Sequence, residues 1–176
     1  SYKMPESIEK LNGQVKPHSW PKDLQMITIW AGYSASTRSF VNNVNEFRDR
    51  QPTKYDSIMR PMMDLSHEGS KAFEIGDTDA FLNIVEDFKD QEYLLGQESD
   101  TEIISDVHQE IIRMVKSVGG TYKPSGAGGG DIGVAFCKDS STADQIRQII
   151  GDSMFDVMNL KMNPTGTEVV HRMNID

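Results

Sequence analysis

Four glycines fall within five positions, Gly126, Gly128, Gly129 and Gly130 around Ala127, preceded by Lys123-Pro124-Ser125 and running into Asp131. With no Cβ to keep a ligand away, consecutive backbone N–H groups in such a loop can turn into one concavity. A nest of amides with an ammonium and a hydroxyl beside it suits a phosphate ester or a phosphoryl group in transfer. Lys123, Ser125, Gly126, Ala127, Gly128, Gly129, Gly130 and Asp131 are therefore the candidate anion-binding residues. The competing reading is a flexible linker. Against it, the loop lies inside a packed unit, between a long helical pattern and an alternating strand that it feeds directly. Two other phosphate loops are excluded by spacing. No Gly-Lys-Ser/Thr follows, and the pattern Gly-x-Gly-x-x-Gly fails because Asp131 stands where the last glycine belongs.

These residues need elements to position them. Leu24 to Trp30 reads as a strand stopped by Ala31-Gly32, and Phe40, Val41, Val44 and Phe47 then recur at helical spacing behind Ser36 or Thr37 as N-cap. Ile58, Met59, Met62, Met63 and Leu65 mark a second helix, with the methionines as core filler. Phe81, Ile84, Val85 and Phe88 mark a third, begun at Asp77-Thr78. Ile104, Val107, Ile111, Met114, Val115 and Val118 mark a fourth, capped by Asp100 or Thr101 and closed by Gly119-Gly120. Within these patterns His67 and His108 read as solvent-facing or hydrogen-bonded rather than catalytic.

Past Gly120 the period changes to two. Ile132, Val134 and Phe136 alternate with the small residues Gly133, Ala135 and Cys137, a helix spans Ser140 to Gly151, and strands cover Met154 to Leu160 and Thr167 to His171 around an Asn163-Pro164-Thr165-Gly166 turn. Helices segregated from a mostly antiparallel sheet give an α+β domain over residues 24–176. Residues 1–23, with Pro5, Gly13, Pro17 and Pro21, read as an extended lead-in.

Charge excludes one class of partner. Twelve acids against the single base Lys89 lie between Glu74 and Glu110, a net −11 that leaves +2 for the rest of a −9 chain. Such a block repels nucleic-acid backbones over a Debye length of about 8–10 Å and reads as a solvated helical face. Cys137 alone cannot form an intrachain disulfide, and His18, His67, His108 and His171 are too scattered for a zinc cluster. No long apolar run suggests a membrane span or a signal peptide. The expectation is a cytoplasmic protein with neither a metal site nor a membrane partner. A chain that starts Ser1-Tyr2-Lys3 suggests processing, or a piece of something longer.

Lys123 to Asp131 with the following Ile132-Gly133-Val134-Ala135-Phe136 closely resembles the third conserved motif of the GHMP kinases, the family of galactokinase, homoserine kinase, mevalonate kinase and phosphomevalonate kinase. Trp30-Ala31-Gly32-Tyr33-Ser34-Ala35-Ser36-Thr37 resembles the segment that leads phosphomevalonate kinases into their C-terminal domain, and both stretches occur in the right order. The resemblance covers residues 20–176 and implies a ferredoxin-like antiparallel sheet covered by helices, with extra helices. It implies that the glycine loop faces a cleft between two domains and lines the substrate phosphate site, with Ser36 and Thr37 nearby at a helix N-terminus that favours an anion. Arg38 either pairs with phosphate or points to water. Asp131 fixes the loop backbone.

The family's first motif and its Gly-Leu-Gly-Ser-Ser-Ala loop around ATP are absent from these 176 residues, and its catalytic residues and magnesium ligands belong mostly to that missing half. The resemblance thus implies a C-terminal, substrate-binding half with no catalytic residue of its own. MgATP is bound only in a complete enzyme that converts a phosphorylated isoprenoid precursor to a diphosphate. The alternatives are a stand-alone phosphate-ester-binding or regulatory module and a homodimerisation element.

Overall fold

The structure, a computed structural model, describes residues 18–32 and 36–160. In chain order the elements are β1 (Gln25–Trp30), α1 (Thr37–Arg50), α2 (Pro52–Ile75), α3 (Thr78–Glu98), α4 (Asp106–Ser117), β2 (Thr121–Pro124), β3 (Ile132–Cys137), α5 (Ser140–Gly151) and β4 (Asp156–Met158). The sheet has the order β2-β3-β1-β4, and every neighbouring pair is antiparallel. Its path is β-α-β-β-α-β with α1, α2 and α3 inserted ahead of α4. The expected α+β, ferredoxin-like sheet with extra helices is what the chain forms.

One face of the sheet carries the main core. Alternation puts Ile27 and Ile29 of β1 beside Ala135 and Cys137 of β3, under Ile111 and Val115 of α4 and Ala143, Ile146 and Ile150 of α5. The small residues of β3 let the helices approach, and each large aliphatic chain buried here contributes about 1.5–3 kcal/mol. A second core joins the inserted helices through Phe47, Ile58, Met62 and Leu95, together with Ile103 and Ile104 from the turn between α3 and α4. On the far side of the sheet Phe81 of α3 meets Phe136 edge-on at 5.4 Å. The end of the lead-in is docked there too, with Trp20 edge-on to Phe73 at 5.3 Å.

Four local expectations change. The α4 cap is Ser105, not Asp100 or Thr101: its Oγ accepts from the His108 N–H, while Asp100 turns into the left-handed region at φ 52° and the Thr101 hydroxyl donates to the Ser99 carbonyl. Residues 121–124 form β2, too short and too mixed in pattern to stand out in sequence. Methionine filling is partial, because Met62 is in the core and Met63 is exposed. The acidic block is not wholly solvated, since Glu92 is buried and Glu86 half-buried. The tail strand and its Asn163–Gly166 turn lie outside the described residues, as do residues 1–17. Among the described residues no helix is long and apolar enough to cross a membrane.

Glu86 ties α3 to both neighbours of the site. Burial works against its ionisation, but Lys116 of α4 at 2.8 Å, Lys89 at 2.6 Å and the Thr121 hydroxyl of β2 at 2.8 Å donate to it and hold its pKa down to about 2. A depressed carboxylate contributes stability above its unfolded value and loses it as the pH falls through the folded one. Glu86→Gln is expected to lower unfolding free energy by about 1 kcal/mol at neutral pH, and the difference should shrink as the pH drops from about 4.5 towards 2. Urea denaturation of both proteins across that range checks it; a deficit that does not change with pH would contradict the assignment.

Candidate functional site

The glycine run spans the turn from β2 to β3. The Ser125 N–H donates to the Ile132 carbonyl at 2.9 Å and closes the base of the loop. Gly126, Gly128 and Gly129 take φ of 66°, 79° and 79°, a region costly for any residue with a Cβ. Asp131 also sits at φ 43°. Two glycine amides of the candidate set are likewise committed to protein carbonyls, Gly128 to Ser125 at 3.4 Å and Gly129 to Ile103 at 2.8 Å. Among the described residues, the amides of Gly126, Ala127 and Gly130 have no acceptor. Ser125 and Gly126 are exposed at the tip, while Gly129 and Gly130 are buried at the root.

The loop is held from beneath by two elements. On one side, Gly128 packs so tightly on the Ile103 backbone that a Cβ there would collide with the Ile103 carbonyl oxygen. On the other, His108 of α4 lies fully buried with Nε2 3.1 Å from the Gly130 carbonyl and Nδ1 2.9 Å from the Tyr122 hydroxyl. Burial pushes the imidazole below its ordinary pKa, against the pull of the Gly130 bond. Of the two alternatives the sequence leaves for His108, hydrogen-bonded rather than solvent-facing is what the structure has, but nothing local marks it, or Ile103, as a loop anchor. His108 sits at a position where a helical apolar stripe makes it indistinguishable from core.

The strand next door delivers the second constellation. Trp30 pairs with Ile132, and the Ala31 N–H donates to the Asp131 carbonyl at 2.7 Å, so β1 leaves the sheet beside the glycine loop. Ser36 then caps α1, its Oγ accepting from the Ser39 N–H at 3.4 Å, and Thr37 is the first helical residue. Ser36, Thr37 and Arg38 are all exposed. Period two along β2 sends Lys123 to the opposite face from Tyr122. The Lys123 ammonium has other partners there: Glu92 at 3.0 Å, the Pro124 carbonyl at 2.7 Å and the Phe88 ring, whose centroid is 5.4 Å away. Burial raises the Glu92 pKa against the pull of Lys123. Among the described residues no group of three or more His, Cys, Asp or Glu is placed to hold a metal ion.

This geometry can be set beside known proteins. Residues 70–156 match the family model described as GHMP kinases C terminal. The chain carries a GHMP kinase C-terminal domain. It is 28% identical over 124 residues to a phosphomevalonate kinase of Streptomyces sp. (strain CL190), covering 70% of this chain and 33% of that relative. A Lin0012 protein from Listeria innocua has the same fold at a TM-score of 0.73 and 19% identity, over 81% of this chain and 42% of that one. L. major mevalonate kinase, solved with R-mevalonate, follows at a TM-score of 0.67 and 22% identity, over 77% of this chain and 40% of that one. The chain thus spans about a third of the curated relative's length.

A GHMP C-terminal domain whose glycine loop is shaped by Ile103 cannot accept a side chain at Gly128. Gly128→Ala is expected to cost about 1–3 kcal/mol and to speed hydrogen exchange at the Gly129 amide, whose bond to Ile103 it breaks. Denaturant unfolding and amide exchange test this, and wild-type exchange at Gly129 would refute it.

Proposed function

We propose that this chain is the C-terminal, substrate-binding half of a phosphomevalonate kinase-like enzyme, one that phosphorylates a phosphorylated isoprenoid precursor to a diphosphate. The observation that carries this reading is the set of amides at Gly126, Ala127 and Gly130 that have no acceptor among the described residues, on a loop otherwise anchored by Ile103, His108 and Ala31. Three amide donors with the Ser125 hydroxyl match the oxygens of an acceptor phosphate, and the missing Cβ atoms let that phosphate come against the backbone. β1 ends beside the loop, and in this reading the α1 N-terminus that follows it, with Ser36 and Thr37, adds its dipole to the same anion. Arg38, exposed in the first turn of α1, is the cation best placed to join them. Lys123 belongs to the Glu92 pair in this reading and not to the anion site.

The work of these residues is to bind and orient. Phosphoryl transfer depends on holding acceptor and donor in line and on neutralising charge that spreads over the transferring group. Fixed amides do the first for the acceptor and contribute to the second without reorganising. In this reading MgATP and the transferring phosphate sit in an N-terminal kinase domain, the necessary partner, and the compartment is the cytoplasm. The similarity to the Streptomyces enzyme supports the acceptor class.

Combined with a GHMP N-terminal half, the chain is expected to support ADP release that depends on both ATP and phosphomevalonate. Gly128→Val should lower that turnover by about 100-fold or more, in line with the loss of oriented donors. Alone, the chain should bind a phosphate ester in calorimetry and release no ADP. Turnover indifferent to Gly128→Val would remove the loop from the reaction. Ester binding without turnover in any combination would favour a regulatory module.

A further inference from the structure

We propose that His108 is a positioning residue for the anion loop: through its Nε2–H it holds the Gly130 carbonyl, and so one flank of the peptide that presents the Gly130 amide. This inference rests on the loop's being the anion site. The Gly129–Gly130 peptide unit carries the partnerless Gly130 N–H, and it is pinned at both flanks. On the near side the Gly129 N–H is held by the Ile103 carbonyl at 2.8 Å. On the far side the Gly130 carbonyl is held by His108 at 3.1 Å. Two consecutive glycines can otherwise rotate this peptide at little steric cost, so an amide between them points in a defined direction only if its neighbours are tied down.

The chemistry of the network sets the state of the ring. A carbonyl oxygen only accepts, so Nε2 carries the hydrogen; in the neutral imidazole Nδ1 is then a lone pair, which takes the Tyr122 O–H at 2.9 Å. Tyr122 is itself confined, 1% exposed on β2, with its hydroxyl against Gly133, where any Cβ would overlap the phenol. Gly133, Tyr122, His108 and Gly130 therefore form one buried chain of contacts from β3 through α4 to the loop root. The ring is fully buried, and its two nitrogens face the loop root and the core, so it acts on an anion only through Gly130. Holding a binding group in its bound orientation beforehand removes an ordering cost that would otherwise weaken the complex.

The test uses the whole chain, with inorganic phosphate as the probe and amide and imidazole nitrogen spectra as readouts. In the wild type, His108 should show the Nε2–H tautomer, and phosphate should shift the amides of Gly126, Ala127 and Gly130. His108→Phe should weaken phosphate binding about tenfold and broaden the Gly130 amide, while His108→Gln, whose side-chain N–H can still reach the carbonyl, should recover most of the affinity. Should His108→Phe fail to fold, the ring tautomer and the Gln variant decide. An Nδ1–H tautomer, or equal phosphate affinity in the wild type and a folded His108→Phe, overturns the positioning role and leaves the anion site standing. Absence of any phosphate-dependent shift at the wild-type loop overturns the anion site itself, and this inference with it.

Discussion

A run of glycines has no shape of its own, and the surroundings of the loop answer that constraint. Each glycine admits backbone conformations closed to other residues, which lets amides converge but also leaves them free to turn elsewhere. The freedom is removed from outside. The Ile103 carbonyl takes the Gly129 N–H, His108 takes the Gly130 carbonyl, and the Ala31 N–H takes the carbonyl of Asp131. Three parts of the chain far apart in sequence thus converge on six residues of loop.

Those anchors explain features of the fold that otherwise look incidental. The turn between α3 and α4 is drawn inward: Gly96 lies against the Thr101 carbonyl, where a Cβ would come within 2.6 Å, and Ile103 and Ile104 sink into the second core. That turn consumes residues expected to open the fourth helix, so the cap moves to Ser105. Glu86 then links α3 to α4 through Lys116 and to β2 through Thr121, so the elements that hold the loop are also held to one another. A carboxylate with three donors in a half-buried site is a stronger tie than a surface ion pair, whose worth is about 0–1 kcal/mol.

The fold and the chemistry rest on different grounds. Neighbours at about a fifth sequence identity establish the ferredoxin-like architecture with inserted helices, and an architecture hosts many reactions. What narrows the function is local: amides that have no acceptor among the described residues, on a loop beside the end of β1, in a chain that covers a third of a curated kinase. In the proposed function, the loop would select its ligand's charge and size, and the donor would come from the other wall of the cleft.

Sequence by itself determined the five helices, the strands β1, β3 and β4 and the position of the glycine loop, because these are written in short-range signals: apolar residues three and four apart, alternation through Gly133, Ala135 and Cys137, and four glycines in five positions. The α+β class followed from the order of those signals. Tertiary structure alone decided which amides remain available, since that depends on Ile103 and His108, each about twenty or more residues from its partner in the loop and marked by nothing but a helical apolar stripe. It also decided the fate of Lys123. Adjacent in sequence to the loop and of the right charge for a phosphate, it is carried by the pleat of β2 to the face where Glu92 waits. Hydrogen-bond partners across a fold are long-range facts, and a local pattern of residue types does not contain them.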